Sequence, residues 1–227
     1  MADLRPEDAG PAPEVPPAEP VAYEEEEREE TPRAIDPAFV YIVIVVITLL
    51  GLSNLAVDVR YTLVWTLLMV VAVLAIALDK VEIERPQLRN LLIGLGFGAL
   101  VGVPFLAIGA PQLQYISRSI FGKSAEAAIF QMLAFAMPLA ETLFFRAAFQ
   151  AARGLIFTGF AAGIWSMVLF FPQLEVLKFP MVAIVFGVSF VFVNFMYSYL
   201  RERFGLFASW SCQIAVNLLI LFAARFT

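Results

Sequence analysis

The stretch Pro138-Leu-Ala-Glu141-Thr142-Leu-Phe-Phe145-Arg146-Ala147-Ala-Phe-Gln150 sets an acid and a base inside a chain otherwise built for lipid. The residues before Glu141, from Ala127 to Ala140, are mostly apolar, and only Thr, Leu and Phe separate Glu141 from Arg146. A charge at bilayer depth costs between about 2.5 and 10 kcal/mol, depending on how far water and snorkelling relieve it, so such residues face a protein interior and usually serve a function. On an α-helix, five residues is 500°, or a net 140°, so Arg146 does not share the face of Glu141. It is expected to anchor the helix end to carbonyls or to lipid phosphate.

The rest of the chain supplies the lipid setting. Of 227 residues, 61% are hydrophobic and 15% charged, with 22 Phe and a mean hydropathy of +0.83. A soluble domain is nearer a quarter charged and half apolar. Several apolar runs exceed 18 residues, enough to cross a hydrocarbon core of roughly 30 Å. The expected fold class is therefore all-α, a polytopic transmembrane bundle of about seven spans. These are Ala38–Val57, Tyr61–Leu78, Leu91–Ile108, Ala125–Ala152, Gly154–Phe171, Met181–Leu200 and Gly205–Ala224. Asp58-Val59-Arg60 reads as a turn, Lys80 to Asn90 as a charged loop, and Gly109 to Ser124 as a polar connection, re-entrant or interfacial. Gly98 and Gly102 have the small-xxx-small spacing that lets a second helix approach closely, though glycines scattered through a membrane helix give the same spacing.

Three regions follow: a tail 1–36, N-terminal membrane helices 37–124 and a core 125–227. The tail holds 12 acidic residues against Arg5, Arg28 and Arg33, a net of −9. The remainder holds 8 acidic and 12 basic residues, a net of +4, which together make the chain's −5. The acidity thus belongs to the tail, which has little to bury and is expected to be disordered. It reads as a docking arm for a basic partner or as a solvated tether. Basic residues favour an N-in orientation by the positive-inside rule. The lone Cys212 rules out an intrachain disulfide, and the chain has no histidine. Histidine is the commonest metal ligand and the usual base near neutral pH, so no metal and no other cofactor is expected. No nucleic-acid partner is expected either.

Polarity that packing does not ask for recurs in the later spans, at Glu141, Arg146, Gln173, Asn194, Gln213 and Asn217. Gln213 and Asn217 are one turn apart on one helix face. The simplest arrangement gathers Glu141, Gln173, Gln213 and Asn217 around one buried pocket. There Glu141 would serve as a general base for water and the amides as oxyanion donors. The same amides also serve as interhelical ties, worth about 0.6 kcal/mol each.

Pro138-Leu-Ala-Glu141-Thr142-Leu-Phe-Phe145-Arg146-Ala147 resembles the first motif of the CPBP family (CAAX proteases and bacteriocin-processing enzymes), intramembrane glutamate proteases often described as metalloproteases. The family phrase is Pro-Leu-x-Glu-Glu-x-x-Phe-Arg-Gly, so Thr142 replaces its second Glu and Ala147 its Gly. Leu169-Phe-Phe-Pro-Gln173-Leu174 resembles the second motif, Phe-x-x-x-His-Leu. Gln213-Ile-Ala-Val-Asn217 resembles the third, His-x-x-x-Asn. The resemblance covers about residues 125–224 and implies the family fold. It makes Glu141 the surviving base, Asn217 the surviving oxyanion donor, and Gln173 and Gln213 occupants of the two histidine positions. Thr142 and Arg146 would be structural. An amide is neither acid nor base near neutral pH. The implied protein is a pseudoprotease of a bacterial cytoplasmic membrane, with its tail cytoplasmic. It would bind a membrane-protein or peptide partner in the core cavity. A working endopeptidase relying on Glu141, and a structural subunit of a membrane complex, stand as alternatives.

Overall fold

The computed structural model describes residues 36–51, 55–122, 124–174 and 180–227, all within one compact unit, Arg33–Thr227. Apart from Asp36, the expected acidic tail lies outside the described residues. Every regular element among those residues is helical, as lipid requires of backbone that must satisfy its own donors and acceptors. The α-helices are α1 (Pro37–Val46), α2 (Val57–Leu78), α3 (Leu88–Phe121), α4 (Glu126–Gln131), α5 (Met137–Glu141), α6 (Gln150–Leu174), α7 (Pro180–Phe204) and α8 (Leu206–Asn217). π-Helical segments extend or join them at Ile47–Gly51, Met132–Ala136, Thr142–Phe149 and Leu218–Phe222, and a 3-10 turn follows at Ala223–Phe226.

Five helical runs are long and apolar enough to cross a membrane: Val57–Leu78, Leu88–Phe121, Glu126–Leu174, Ala183–Phe204 and Leu206–Phe226. Pro37–Leu50 is apolar but shorter. Large apolar side chains such as Leu100, Ile108, Phe157 and Val188 point outward, each at least 64% exposed. A helix apolar all round belongs in a core or in hydrocarbon. The chain is an integral, multi-pass membrane protein.

The run Glu126–Leu174 is not one rod. Gly154 sits at φ 75°, ψ 177°, where a Cβ is disfavoured and glycine is at home. The indole of Trp165 donates to Glu141 over 3.1 Å although the two are 24 residues apart. In one straight helix they would be roughly 36 Å apart. The chain therefore folds back at Gly154. Gly205, at φ 90°, turns α7 into α8 in the same way.

Several expected boundaries shift. Asp58, Val59 and Arg60 form the first turn of α2, and Val57 opens that helix instead of ending the span before it. Gly109 to Phe121 belongs to α3, kinked at Gly109 between Pro104 and Pro111. The segment reads as polar from sequence because Gln112, Gln114, Arg118 and Ser119 lie on it. Yet Leu113, Ile116, Ser117, Ile120 and Phe121 form a buried stripe at helical spacing, and that stripe holds it against the bundle.

α3 and α8 pack closely along their length. Gly94, Gly98 and Gly102 are the buried residues of α3's first half. A Cβ at Gly98 would stand 2.7 Å from the Cys212 carbonyl oxygen, and one at Gly102 2.7 Å from Leu219 Cδ1. Ser211 Oγ donates to the Leu91 carbonyl at 3.0 Å along the same contact. The small residues thus set the distance between two backbones. Gly96, off that face, meets nothing within 4 Å. At one end of the bundle lie the ion pairs Arg153–Asp36, 2.6 Å, and Arg201–Glu84, 3.2 Å. At the other, Arg225 pairs with Glu126 at 3.0 Å and donates to the Ser117 carbonyl at 3.2 Å.

Gly98→Leu is expected to lose about 1–3 kcal/mol by overpacking, read as a lowered melting temperature in detergent micelles. Gly96→Ala is expected to stay within about 1 kcal/mol of the wild type or gain from helix propensity.

Candidate functional site

Glu141 is the last residue of α5 and is 3% exposed. π-Helical segments lie before and after α5, at Met132–Ala136 and Thr142–Phe149. A π-helix bonds residue i to i+5, and such segments recur at functional sites. Residues five apart therefore come back towards one face, and the 140° expected between Glu141 and Arg146 does not hold. Both side chains point into the protein.

Three donors from three other helices converge on the Glu141 carboxylate. Oε1 accepts from Trp65 Nε1 of α2 at 3.3 Å and from Trp165 Nε1 of α6 at 3.1 Å. Oε2 accepts from Gln213 Nε2 of α8 at 2.6 Å. Thr142 Oγ1 donates to Gln213 Oε1 at 3.3 Å, so the hydroxyl holds the amide with its nitrogen towards the carboxylate. A carboxylate has about four lone-pair positions, and these bonds fill three.

Arg146 is 1% exposed. Its Nη2 donates to Asn194 Oδ1 at 2.7 Å and, more weakly, to the Asn194 carbonyl at 3.5 Å. The guanidinium lies over the rings of Tyr197 and Phe145, 5.5 and 5.7 Å from their centroids, a cation–π arrangement. Asn194 is held in turn, its Nδ2 donating to Ser166 Oγ at 3.2 Å and to the Phe190 carbonyl at 2.9 Å. Arg146 is thus anchored to amide oxygens within the bundle, and its Nε and Nη1 have no partner.

Glu141, Gln213, Asn217 and Asn194 line one cavity of about 130 Å³. Its remaining wall is mainly apolar, and Phe105 of α3 and Phe186 of α7 border it. At about 30 Å³ per water the space equals roughly four waters, well below the ~300 Å³ of a small-molecule pocket. Asn217 shares the cavity with Gln213, as their one-turn spacing implies. Its amide, however, donates to the Leu133 carbonyl at 3.4 Å and to Met137 Sδ at 3.6 Å, tying α8 to the helix that carries Glu141. A second, larger groove of about 760 Å³ runs between α2 and α4–α5, and Trp65, Met69, Met132 and Phe135 are among its walls.

Gln173 does not join the pocket. It lies eight residues beyond Trp165 on α6, roughly 12 Å along the axis. With its amide oriented to satisfy both partners, its oxygen accepts from Arg60 Nη1 at 3.2 Å and also from Nη2. Arg60 is buried and lies over the Tyr61 ring, 5.4 Å from the centroid. The expected four-residue pocket becomes a three-residue one, with Gln173 balancing a buried cation at the end of α2. The residue that α6 brings to Glu141 is Trp165.

Neither tryptophan was expected at the site, and the sequence carries a signal for Trp165 alone. Membrane tryptophans gather at the interfaces, whereas Trp165 falls mid-span, and a buried indole N–H needs an acceptor; Trp65 moves inward only because α2 begins at Val57. Glu141 is the carboxylate they find. An indole or amide N–H can hold an anion but serves as neither acid nor base near neutral pH. The arrangement fixes the carboxylate in place.

A double-mutant cycle should separate the two glutamines. Glu141→Gln combined with Gln213→Leu is expected to show a coupling of about 1–3 kcal/mol, whereas Glu141→Gln with Gln173→Ala should be additive within about 0.5 kcal/mol. Unfolding in micelles measures both. No protein-family model matches the chain, and neither a curated protein nor a solved structure matches it.

Proposed function

We propose that the chain is a seven-span membrane protein of CPBP-like fold that retains the pocket of that family without its peptidase reaction, and that it works by engaging a membrane partner at the Glu141 cavity. The observation that carries this reading is the set of donors on Glu141: two indoles and one amide, none able to take or return a proton. The pairing of Glu141 with Gln213 agrees with the first and third motif positions meeting. The pairing of Gln173 with Arg60 leaves the carboxylate without the second motif's side chain, so no group of that motif is at hand to share a proton with an attacking water.

Seven crossings follow if Pro37–Gly51 is the first and if the run Glu126–Leu174 is counted as two, divided at Gly154. The end near Asp36 then carries Lys80, Arg85, Arg89, Arg153, Arg201 and Arg203, against Arg60, Arg118 and Arg225 among the described residues of the other. By the positive-inside rule the Asp36 end is cytoplasmic. The cavity is too small for a peptide backbone, so the partner contributes an apolar side chain or a chain end. On this reading it enters sideways between α3 and α7, whose Phe105 and Phe186 line the cavity.

Two experiments test this. Purified protein in liposomes is given a prenylated or leader-bearing peptide. No cleavage is expected from the wild type, and cleavage that disappears in Glu141→Ala overturns the reading. A photo-crosslinking residue in place of Ser189, which lines the cavity from α7, is expected to give a discrete protein adduct in native membranes. A pattern of lipid adducts alone counts against a protein partner.

A further inference from the structure

The polar side chains between Glu141 and the Asp36 end of the bundle form a ladder. Thr142, Arg146 and Gln150 are four residues apart and bond Gln213 of α8 and Asn194 and Ser198 of α7; Ser209 stands four residues before Gln213 on α8, and Arg201 three residues after Ser198 on α7. The rungs are fixed by bonds: Thr142 to Gln213 at 3.3 Å, Arg146 to Asn194 at 2.7 Å, and Gln150 Nε2 to the Ser198 carbonyl at 2.9 Å. The outermost rung is Arg201, which is partly exposed and paired with Glu84.

Buried polar atoms without a partner concentrate along this ladder. Among the described residues, six of the seven are Arg146 Nε and Nη1, Gln150 Oε1, Ser198 Oγ, Ser209 Oγ and Arg201 Nε, and the seventh is Trp210 Nε1 of α8. Ser198 and Ser209 are fully buried. Three other buried helical hydroxyls bond the carbonyl four residues back, Thr48 to Ile44 at 2.8 Å, Thr158 to Gly154 at 2.7 Å and Ser166 to Ala162 at 3.0 Å, and Ser117, Thr142 and Ser211 find acceptors on other helices. Ser198 and Ser209 make neither bond. An unsatisfied buried donor or acceptor costs about 1–3 kcal/mol, and several on one seam would be a heavy burden for a membrane bundle.

The chemistry of these atoms points to what they hold. Arg146 and Arg201 only donate, Gln150 Oε1 only accepts, and the hydroxyls do both. Water both donates and accepts, and a buried water needs two to four polar partners. We infer that a hydrated seam runs from the Arg201–Glu84 end of the bundle inward past Gln150, Ser198 and Ser209 to Arg146, a binding site for a short file of waters one helical turn from Glu141. Arg146 has its positive charge at the inner end, so the seam admits water and repels cations, as cationic constrictions do in pores. It meets the apolar cavity at Asn194 and Gln213, which also line that cavity, and leads away from it towards the Arg201–Glu84 end. It holds whether or not Glu141 ever reacts, and so does not depend on the functional proposal.

Infrared spectroscopy of introduced thiols tests the seam without a bulky reagent. In a Cys212→Ala background, Ser198→Cys and Ser209→Cys each place one S–H on it, and Val64→Cys places one in the apolar core, where Val64 is fully buried. On transfer of the reconstituted protein to D2O, the seam thiols are expected to convert from S–H to S–D at least about tenfold faster than the core thiol, a difference of about 1.4 kcal/mol in opening free energy. Equal rates overturn the inference. Should either cysteine variant fail to fold, Ser198→Ala and Ser209→Ala serve instead. A lowered melting temperature is the result expected of hydrated hydroxyls, and a raised one, from removing orphaned groups in a dry seam, overturns it. Where both readings are obtained, the exchange rates decide.

Discussion

A carboxylate at bilayer depth must find its donors inside the protein, and this bundle is arranged around that requirement. Glu141 draws one donor each from α2, α6 and α8, so three helices that share no sequence neighbourhood are bound to the same two oxygens. Breaking a buried, charged set of this kind leaves an uncompensated ion in low dielectric, which costs more than the bonds themselves contribute. The core packs outward from it. Tyr61 stacks on Trp65 with ring centroids 5.1 Å apart, and Phe145 lies 6.2 Å from Trp165. Both indoles are held by aromatic neighbours with few ways to move.

The second buried charge is managed differently. Arg146 has no carboxylate among its hydrogen-bond partners and relies on an amide oxygen and two aromatic faces. Guanidinium suits this, being weakly hydrated and planar, where a lysine ammonium would not. Arg60 repeats the solution near the opposite end, with Gln173 and Tyr61 in the roles of Asn194 and Tyr197. Two glutamines that look alike in the chain thus have opposite duties: Gln213 gives a proton-bearing nitrogen to an anion, and Gln173 gives an oxygen to a cation.

That pair marks the limit of what was legible in sequence. Hydropathy is local and strong, so the helical class and most of the apolar runs could be read directly. The contact between Glu141 and Gln213 was also within reach, because helix periodicity and the cost of leaving a polar side chain unpaired in lipid constrain it. Gln173 was not, since its partner Arg60 lies over a hundred residues away and was read as part of a turn. The stretch Gly109 to Phe121 misled for a related reason: its polar residues are plain in the chain, while the buried stripe beneath them needs a partner surface to be recognised. Trp65 and Trp165 escaped notice because tryptophan in a membrane sequence is usually an interfacial anchor. For Trp165 the mid-span position was the clue, whereas Trp65 became central only with the start of α2 at Val57.

The reversal at Gly154 has a consequence for biosynthesis. Because the chain doubles back there, Trp165 reaches Glu141 within one hairpin, and Trp65 has already been made when that hairpin enters the bilayer. Two of the three donors can therefore meet the carboxylate as soon as residues 126–174 have inserted. The third, Gln213, arrives only after α7 has crossed and Gly205 has turned the chain again. α8 is the last of these helices in the chain, and it completes both the donor set on Glu141 and the packing against the Gly98 face of α3.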